Sequence, residues 1–280
     1  MIVCRSIRAL CILLALWATQ ASGQTAMPLR MGIMPFNSPV TLLKTHQPLV
    51  RHLEQTLGRP VTVNTSTDYT TFVNQLLDGQ FDIAIAGPHF ASMARERGAT
   101  LLVRYKAELQ PVFVVRQNSP IARAEDLHGA RIGLSSPLSM SSIGGVKWLQ
   151  DQDFVLGKDF TVRDYSSHGA AIAAVVVGDV DAALTTHTPL RQVPEDIRSK
   201  TRLLASDVRM PHLITVANPR LGPRETGMIR EALLSFEQTS AGRDFFRDTG
   251  YLGYSEVTPA DLQSLKPFVE LTVKMMRLRP

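Results

Sequence analysis

From Leu29 onward the chain alternates short apolar runs with amphipathic ones, and this order constrains the fold more than any other feature. Leu29 to Met34 reads as a buried strand. Leu49, Leu53 and Leu57 recur every four residues, the spacing of one helix face; Pro48 is suited to open that helix and Gly58 to end it. Val61 to Asn64 is the next strand. Thr67 is placed to cap a helix that carries Phe72, Val73, Leu76 and Leu77, and Asp78-Gly79 stops it. Phe81 to Ala86 is a third strand, closed by Gly87-Pro88. Strands separated by helices pair mainly in parallel, in a sheet that helices cover. The expected fold class is therefore α/β.

A similar passage returns a hundred residues later. Leu77-Asp78-Gly79-Gln80-Phe81-Asp82-Ile83-Ala84 matches Val177-Gly178-Asp179-Val180-Asp181-Ala182-Ala183 in plan: an apolar helix end, a glycine stop, an aspartate, then a buried strand. Two lobes of related design and a chance likeness of common joints both fit this match. Between the passages, Gln110 to Val115 and Arg131 to Leu134 read as strands. After them, Arg202 to Ala205 and Leu213 to Ala217 do too, before three helices over 225–236, 241–248 and 259–276. This order predicts a discontinuous first lobe, 24–112 with 211–280, and a second lobe, 113–210, inserted into it. Two chain crossings between lobes form a hinge.

The first residues read differently. Arg5 and Arg8 precede an apolar stretch from Ala9 to Trp17, and Ala21-Ser22-Gly23 offers small residues for cleavage. Residues 1–23 are read as a signal peptide, which puts the rest of the chain in the periplasm, free of the membrane. A retained anchor is the alternative. Both cysteines, Cys4 and Cys11, fall in this leader, so the mature chain has no disulfide scaffold, thiolate metal site or cysteine nucleophile. The formal net charge of +5 loses Arg5 and Arg8 with the leader, leaving +3. No run of five or six like charges marks a nucleic-acid surface, and a mildly basic balance suits an anionic ligand.

The richest loop is 135–145, which holds Ser135, Ser136, Ser139, Ser141 and Ser142: five serines within eight residues, more than one helix cap needs. It follows a strand and opens a helix. Hydroxyls and free amides at such a junction can hold an anion, aided by the helix dipole. A second hydroxyl-rich junction, Asn64 to Thr71, lies after a strand in the other lobe. Ligands of open α/β sheets bind beyond the carboxyl ends of strands, where both loops lie. His168, at a third junction, is a candidate anion donor, stronger if protonated. His89, after Gly87-Pro88, is weighed the same way, and Phe36 and Tyr69 are candidate pocket walls. Ser141, His168 and Asp181 are the residue types of a hydrolase triad, but no Gly-x-Ser-x-Gly elbow accompanies them. Histidine spacing shows no metal motif, and no phosphate-binding loop pattern occurs. No metal and no cofactor is expected.

Several segments together resemble one family. They are Thr67-Asp68-Tyr69, Ala86-Gly87-Pro88, 126–132, 139–144, Ser167-His168-Gly169-Ala170-Ala171, 178–183 and 239–246, in order along nearly the whole mature chain. The chain resembles the periplasmic substrate-binding proteins of phosphonate, phosphite and phosphate ABC transporters. The resemblance implies the two-lobed type II binding-protein fold and no enzymatic activity. It implies a small anion delivered to an ABC permease, and a monomer is expected. It makes Ser139, Ser141 and Ser142 the oxyanion cradle and His168 a donor beside them, with Tyr69 from the other lobe and Thr186 after the Asp-Ala-Ala strand. The chain departs from the family at Met140, where serine-threonine-serine is common, and at His89-Phe90, near a usual tyrosine. It also has no carboxylate in Leu184-Thr185-Thr186-His187, where aminoalkylphosphonate binders place one, so an amine-bearing ligand is not expected. A ligand-sensing role beside a membrane histidine kinase is the second reading, and a secreted serine hydrolase the third.

Overall fold

The computed structural model describes residues 27–277, so the leader read at 1–23 lies outside it. The chain opens with β1 (Leu29–Ile33), α1 (Pro39–Leu57), β2 (Val61–Asn64), α2 (Tyr69–Leu77), β3 (Ile83–Ala86), α3 (Pro88–Glu96) and β4 (Thr100–Tyr105). It crosses through β5 (Glu108–Leu109) to β6 (Val112–Arg116), β7 (Ala130–Leu134), α4 (Met140–Gln150), β8 (Phe160–Asp164), α5 (His168–Val177), β9 (Ala182–Thr185), the short α6 (His187–Gln192) and α7 (Glu195–Arg198), and β10 (Thr201–Ala205). It returns through β11 (Met210–Pro211) to β12 (Ile214–Ala217), α8 (Gly222–Phe236), α9 (Ser240–Thr249), β13 (Tyr254–Ser255) and α10 (Pro259–Arg277). No helix among the described residues is long and apolar enough to cross a membrane.

The two sheets share one plan. The first has strand order β13-β4-β12-β3-β1-β2 and the second β10-β6-β9-β7-β8. In each, three parallel strands (β2-β1-β3 and β8-β7-β9) are followed by an antiparallel strand supplied where the chain changes sheet, β12 or β6. The crossing segments β5 and β11 pair with each other. The sequence likeness at Asp82 and Asp181 has a shared physical basis. Asp82 accepts the Arg30 amide at 2.7 Å and Asp181 the Arg131 amide at 2.9 Å, each also meeting that arginine's guanidinium. Each aspartate thus pins the edge of β3 or β9 to the neighbouring parallel strand. The first sheet packs in one large core and the second carries a core on each face, centred on Phe113, Ile132 and Phe160 and on Val114, Ile172 and Val175.

Local readings differ from the structure in instructive places. The first helix starts at Pro39, capped by Ser38, whose side chain accepts from the Thr41 amide; Pro48 lies inside it. The buried stripe Leu42, His46, Leu49 and Leu53 runs through Pro48, and burying it offsets the roughly 3 kcal/mol that an interior proline costs. Asp68, not Thr67, caps α2: its carboxylate accepts the Thr71 amide at 2.8 Å, and Thr67 instead donates its hydroxyl to Asp68. A charged acceptor at the positive helix end displaces a neutral one. Helix α3 was not expected; Gly87-Pro88 opens it, proline taking the first turn where its missing N–H is harmless.

Two glycines let α4 approach its neighbours. A Cβ on Gly144 would lie 2.8 Å from the Met210 side chain, and one on Gly145 would lie 2.5 Å from the buried Leu184 side chain. Helix α4 therefore rests against β9 and the crossing strand, which fixes where its first residues sit. We predict that Gly145→Ala costs about 1–3 kcal/mol through overpacking, read as a lowered midpoint in chemical denaturation; an unchanged midpoint would show that α4 is not held this closely.

Candidate functional site

The parallel strands of both sheets deliver their following residues to one cavity. Met34 and Phe36 come after β1, Tyr69 after β2, Ser139 to Ser141 after β7, His168 after β8, and Thr186 with Thr188 after β9. Leu109, His212 and Leu213 at the crossings, Pro189, and Tyr251 after α9 complete the wall. The cavity encloses about 390 Å³ counted out to solvent. That is room for a compact guest. The lobes meet around it: Asn37 Nδ2 donates to Gln192 Oε1 at 2.8 Å, Thr188 Oγ1 to the Thr249 carbonyl at 3.0 Å, and His89 Nε2 to the Leu138 carbonyl at 3.0 Å.

Among the described residues, no Asp, Glu, Lys or Arg lines this cavity. Its polar groups are hydroxyls and imidazoles, most of them at the first residues of helices, with His212 and Tyr251 the exceptions. Ser139 is the N-cap of α4, accepting from the Ser142 amide at 3.1 Å. Its Oγ also lies 3.1 Å from Ser141 Oγ and 2.7 Å from Ser142 Oγ. Three hydroxyls with two hydrogen bonds among them keep one proton to give outward. Ser142 lies away from the cavity and Ser141 lines it, so the relay that serves a guest runs Ser142 to Ser139 to Ser141. The helix ends add their partial positive charge at the same place, from α2, α4 and α5. Asp68 at the start of α2 is exposed to solvent, so its charge is partly screened.

His168 opens α5 with its backbone amide directed at the Phe36 carbonyl of the other lobe, 3.4 Å away. Its Nε2 meets Ser135 Oγ at 3.1 Å, while its buried Nδ1 has no partner. Burial lowers its pKa to about 3, so it meets a guest as a neutral imidazole and not in the stronger, protonated form: with no carboxylate at hand, a charged imidazole here would be desolvated and unpaired. When Ser135 donates to Nε2, Nδ1 carries the proton and can donate it to a guest. Tyr69 and Tyr251 are likewise buried cavity-lining residues whose hydroxyls have no well-formed partner.

Six of the eight residues singled out from the sequence, Phe36, Tyr69, Ser139, Ser141, His168 and Thr186, line the cavity. Ser142 and His89 do not. Ser142 stands behind Ser139 in the relay, and His89 is turned to the Leu138 carbonyl, holding the loop that leads into the serines. The hydrolase triad is not assembled. Arg131 engages both oxygens of Asp181, and His168 faces Ser135 rather than Ser141. The structure adds Met34, Met140, Thr188, His212 and Tyr251. The last stands between Gly250 and Gly253, both with positive φ, and this glycine-framed corner is the one sequence hint to it.

The family described as ABC transporter, phosphonate, periplasmic substrate-binding protein matches residues 31–262. Among solved structures, PhnD1 from Prochlorococcus marinus in complex with methylphosphonate superposes with a TM-score of 0.77 at 18% identity, covering 88% of this chain and 98% of that one. A binding protein component of an ABC phosphonate transporter from Pseudomonas aeruginosa gives 0.74 at 18% identity, covering 89% of each chain. The periplasmic aliphatic sulphonate binding protein SsuA from Escherichia coli gives 0.62 at 18% identity, covering 89% of this chain and 87% of that one. At these identities the structural likeness is one of fold: two lobes in α/β architecture.

The buried imidazoles also set a pH limit. His168 and His212 are lowered to about 3, His46 and His89 to about 4, all by burial first. The unfolded chain takes up these protons near pH 6.5 and the folded chain does not. Their stabilisation is therefore complete above about 6.5 and is lost as pH falls toward 4. At pH 5 each histidine costs about 2 kcal/mol, enough together to consume much of a stability of about 5–15 kcal/mol. We predict a thermal midpoint lower by more than about 10 °C at pH 5 than at pH 7. Equal midpoints by circular dichroism would contradict the buried, neutral state of these rings.

Proposed function

Since the chain belongs to the periplasmic substrate-binding proteins of phosphonate ABC transporters, we propose that its cavity holds a tetrahedral oxyanion with a small, uncharged substituent, of the methylphosphonate class. Membership makes the chain a solute-binding protein whose family works with a membrane permease in the periplasm; it is a substrate-binding family and not an enzyme family. Nothing in the match favours sensing beside a kinase, and the dispersed triad gives hydrolysis no support.

One observation carries the ligand assignment. The cavity between the lobes is free of ionised side chains, yet it gathers the Ser141 relay, the His168 Nδ1 and the Tyr69 hydroxyl at three helix starts. Neutral donors and helix ends hold an oxyanion through charge-assisted hydrogen bonds without a full countercharge. Met34, Phe36, Met140, Leu109, Pro189 and Leu213 give the wall its apolar part, and no lining residue is a carboxylate that could meet an amine. In this reading residues 24–112 with 211–280 form one lobe and 113–210 the other, and residues 1–23 are a leader removed on export.

Titration calorimetry with methylphosphonate tests the assignment. Ser141→Ala removes the outward proton and leaves the Ser139–Ser142 pair intact, so the fold should stand. Affinity should fall by about 1–3 kcal/mol, or roughly 5- to 150-fold. Unchanged affinity in Ser141→Ala would remove this serine from the site, and no heat from wild-type protein with methylphosphonate, phosphite or phosphate would remove the ligand class.

A further inference from the structure

His212 is the one cavity imidazole whose proton position is fixed by the backbone. The Leu213 amide donates to its Nδ1 at 2.8 Å, so the neutral ring carries its proton on Nε2 and can only donate from there. Burial, assisted by the charge of Arg104, lowers its pKa to about 3, so it stays neutral across the working range. The titratable groups that face it are Tyr105 and Tyr251, whose rings lie edge-on at 5.6 and 5.0 Å, and Arg104, which is itself tied to Asp261 at 3.0 Å.

Tyr251 is the second group. It is fully buried, stacks on Tyr105 with centroids 3.9 Å apart, and lines the cavity with a hydroxyl that has no partner. Burial raises its pKa, so the phenol keeps its proton. A buried phenol without a partner is unfavourable, and a guest oxygen that accepts from it relieves this. Both residues belong to the strand and loop that return to the first sheet, apart from the serine loop of the second.

We propose that Tyr251 and His212 contact the ligand and, as donors with no cavity carboxylate beside them, make the cleft select the fully ionised form of a tetrahedral oxyanion. The inference rests on the anion assignment above and adds the protonation state. A protonated ligand oxygen set against His212 would face N–H with O–H and lose a hydrogen bond; an ionised oxygen accepts from both residues.

The test is calorimetry on the full mature chain near pH 6 and near pH 8, with methylphosphonate and with methanesulfonate, which has no second proton. Titration of a protein histidine would move the affinity for both anions alike, so a change confined to methylphosphonate reports the ligand's own ionisation. Wild-type protein should bind methylphosphonate about fivefold or more tightly near pH 8, while methanesulfonate changes by less than about twofold. Tyr251→Phe removes one unpartnered hydroxyl and keeps the stack. It should weaken methylphosphonate binding near pH 8 by about 5- to 150-fold with an unchanged thermal midpoint. His212→Gln should weaken it as well. Wild-type affinity retained in both variants, or methylphosphonate bound equally or more weakly near pH 8, overturns this inference and leaves the anion assignment standing. No binding of either anion by wild-type protein at either pH overturns both.

Discussion

Three serine hydroxyls at the start of α4 share two hydrogen bonds, and the proton left over is what the second lobe offers an anion. The relay depends on where α4 begins. That position depends in turn on Gly144 and Gly145, which let the helix press against Met210 and Leu184. It depends also on His89, which reaches from the first lobe to hold the Leu138 carbonyl one residue before Ser139. A cradle made of neutral groups has to be placed this carefully, because short hydrogen bonds, and not net charge, must recover what the anion loses on leaving water.

The same arrangement explains why closure and binding go together. Ser141 and His168 come from one lobe, Tyr69, His212 and Tyr251 from the other. With the lobes packed as they are, the Tyr251 hydroxyl and the His168 Nδ1 are buried without partners, at about 1–3 kcal/mol each. The interlobe bonds at Asn37, His89 and Thr188 oppose that cost. A ligand that satisfies the buried donors has differential affinity for the closed state, which is the requirement for shifting its population.

Much of this was legible in the sequence because the fold repeats a simple joint. An apolar helix end, a glycine and an aspartate announce β3 and β9, and hydroxyl-rich stretches after strands announce the starts of α2, α4 and α5. Those rules are local, and they led to Ser139, Ser141 and His168, while Tyr69 was singled out as an aromatic pocket wall and Thr186 through the family resemblance. What escaped is non-local. His212 and Tyr251 reach the cavity only because the return strand and the corner after α9 fold back beside the crossing segments, which no spacing reveals. The protonation of His168 escaped as well, because it is set by burial, which no local pattern gives. Pro48 misled because its preference for a first turn is weaker than the tertiary burial of the leucines around it.

The most direct test of the account is a crystal structure of the mature chain grown with methylphosphonate. The account predicts the anion between the two sheets, its oxygens within about 3 Å of Ser141 Oγ and His168 Nδ1, with the α4 start in place and no cation beside it. Methylphosphonate bound elsewhere, or held in the cleft by an arginine or lysine that swings in, would contradict a site built from neutral donors.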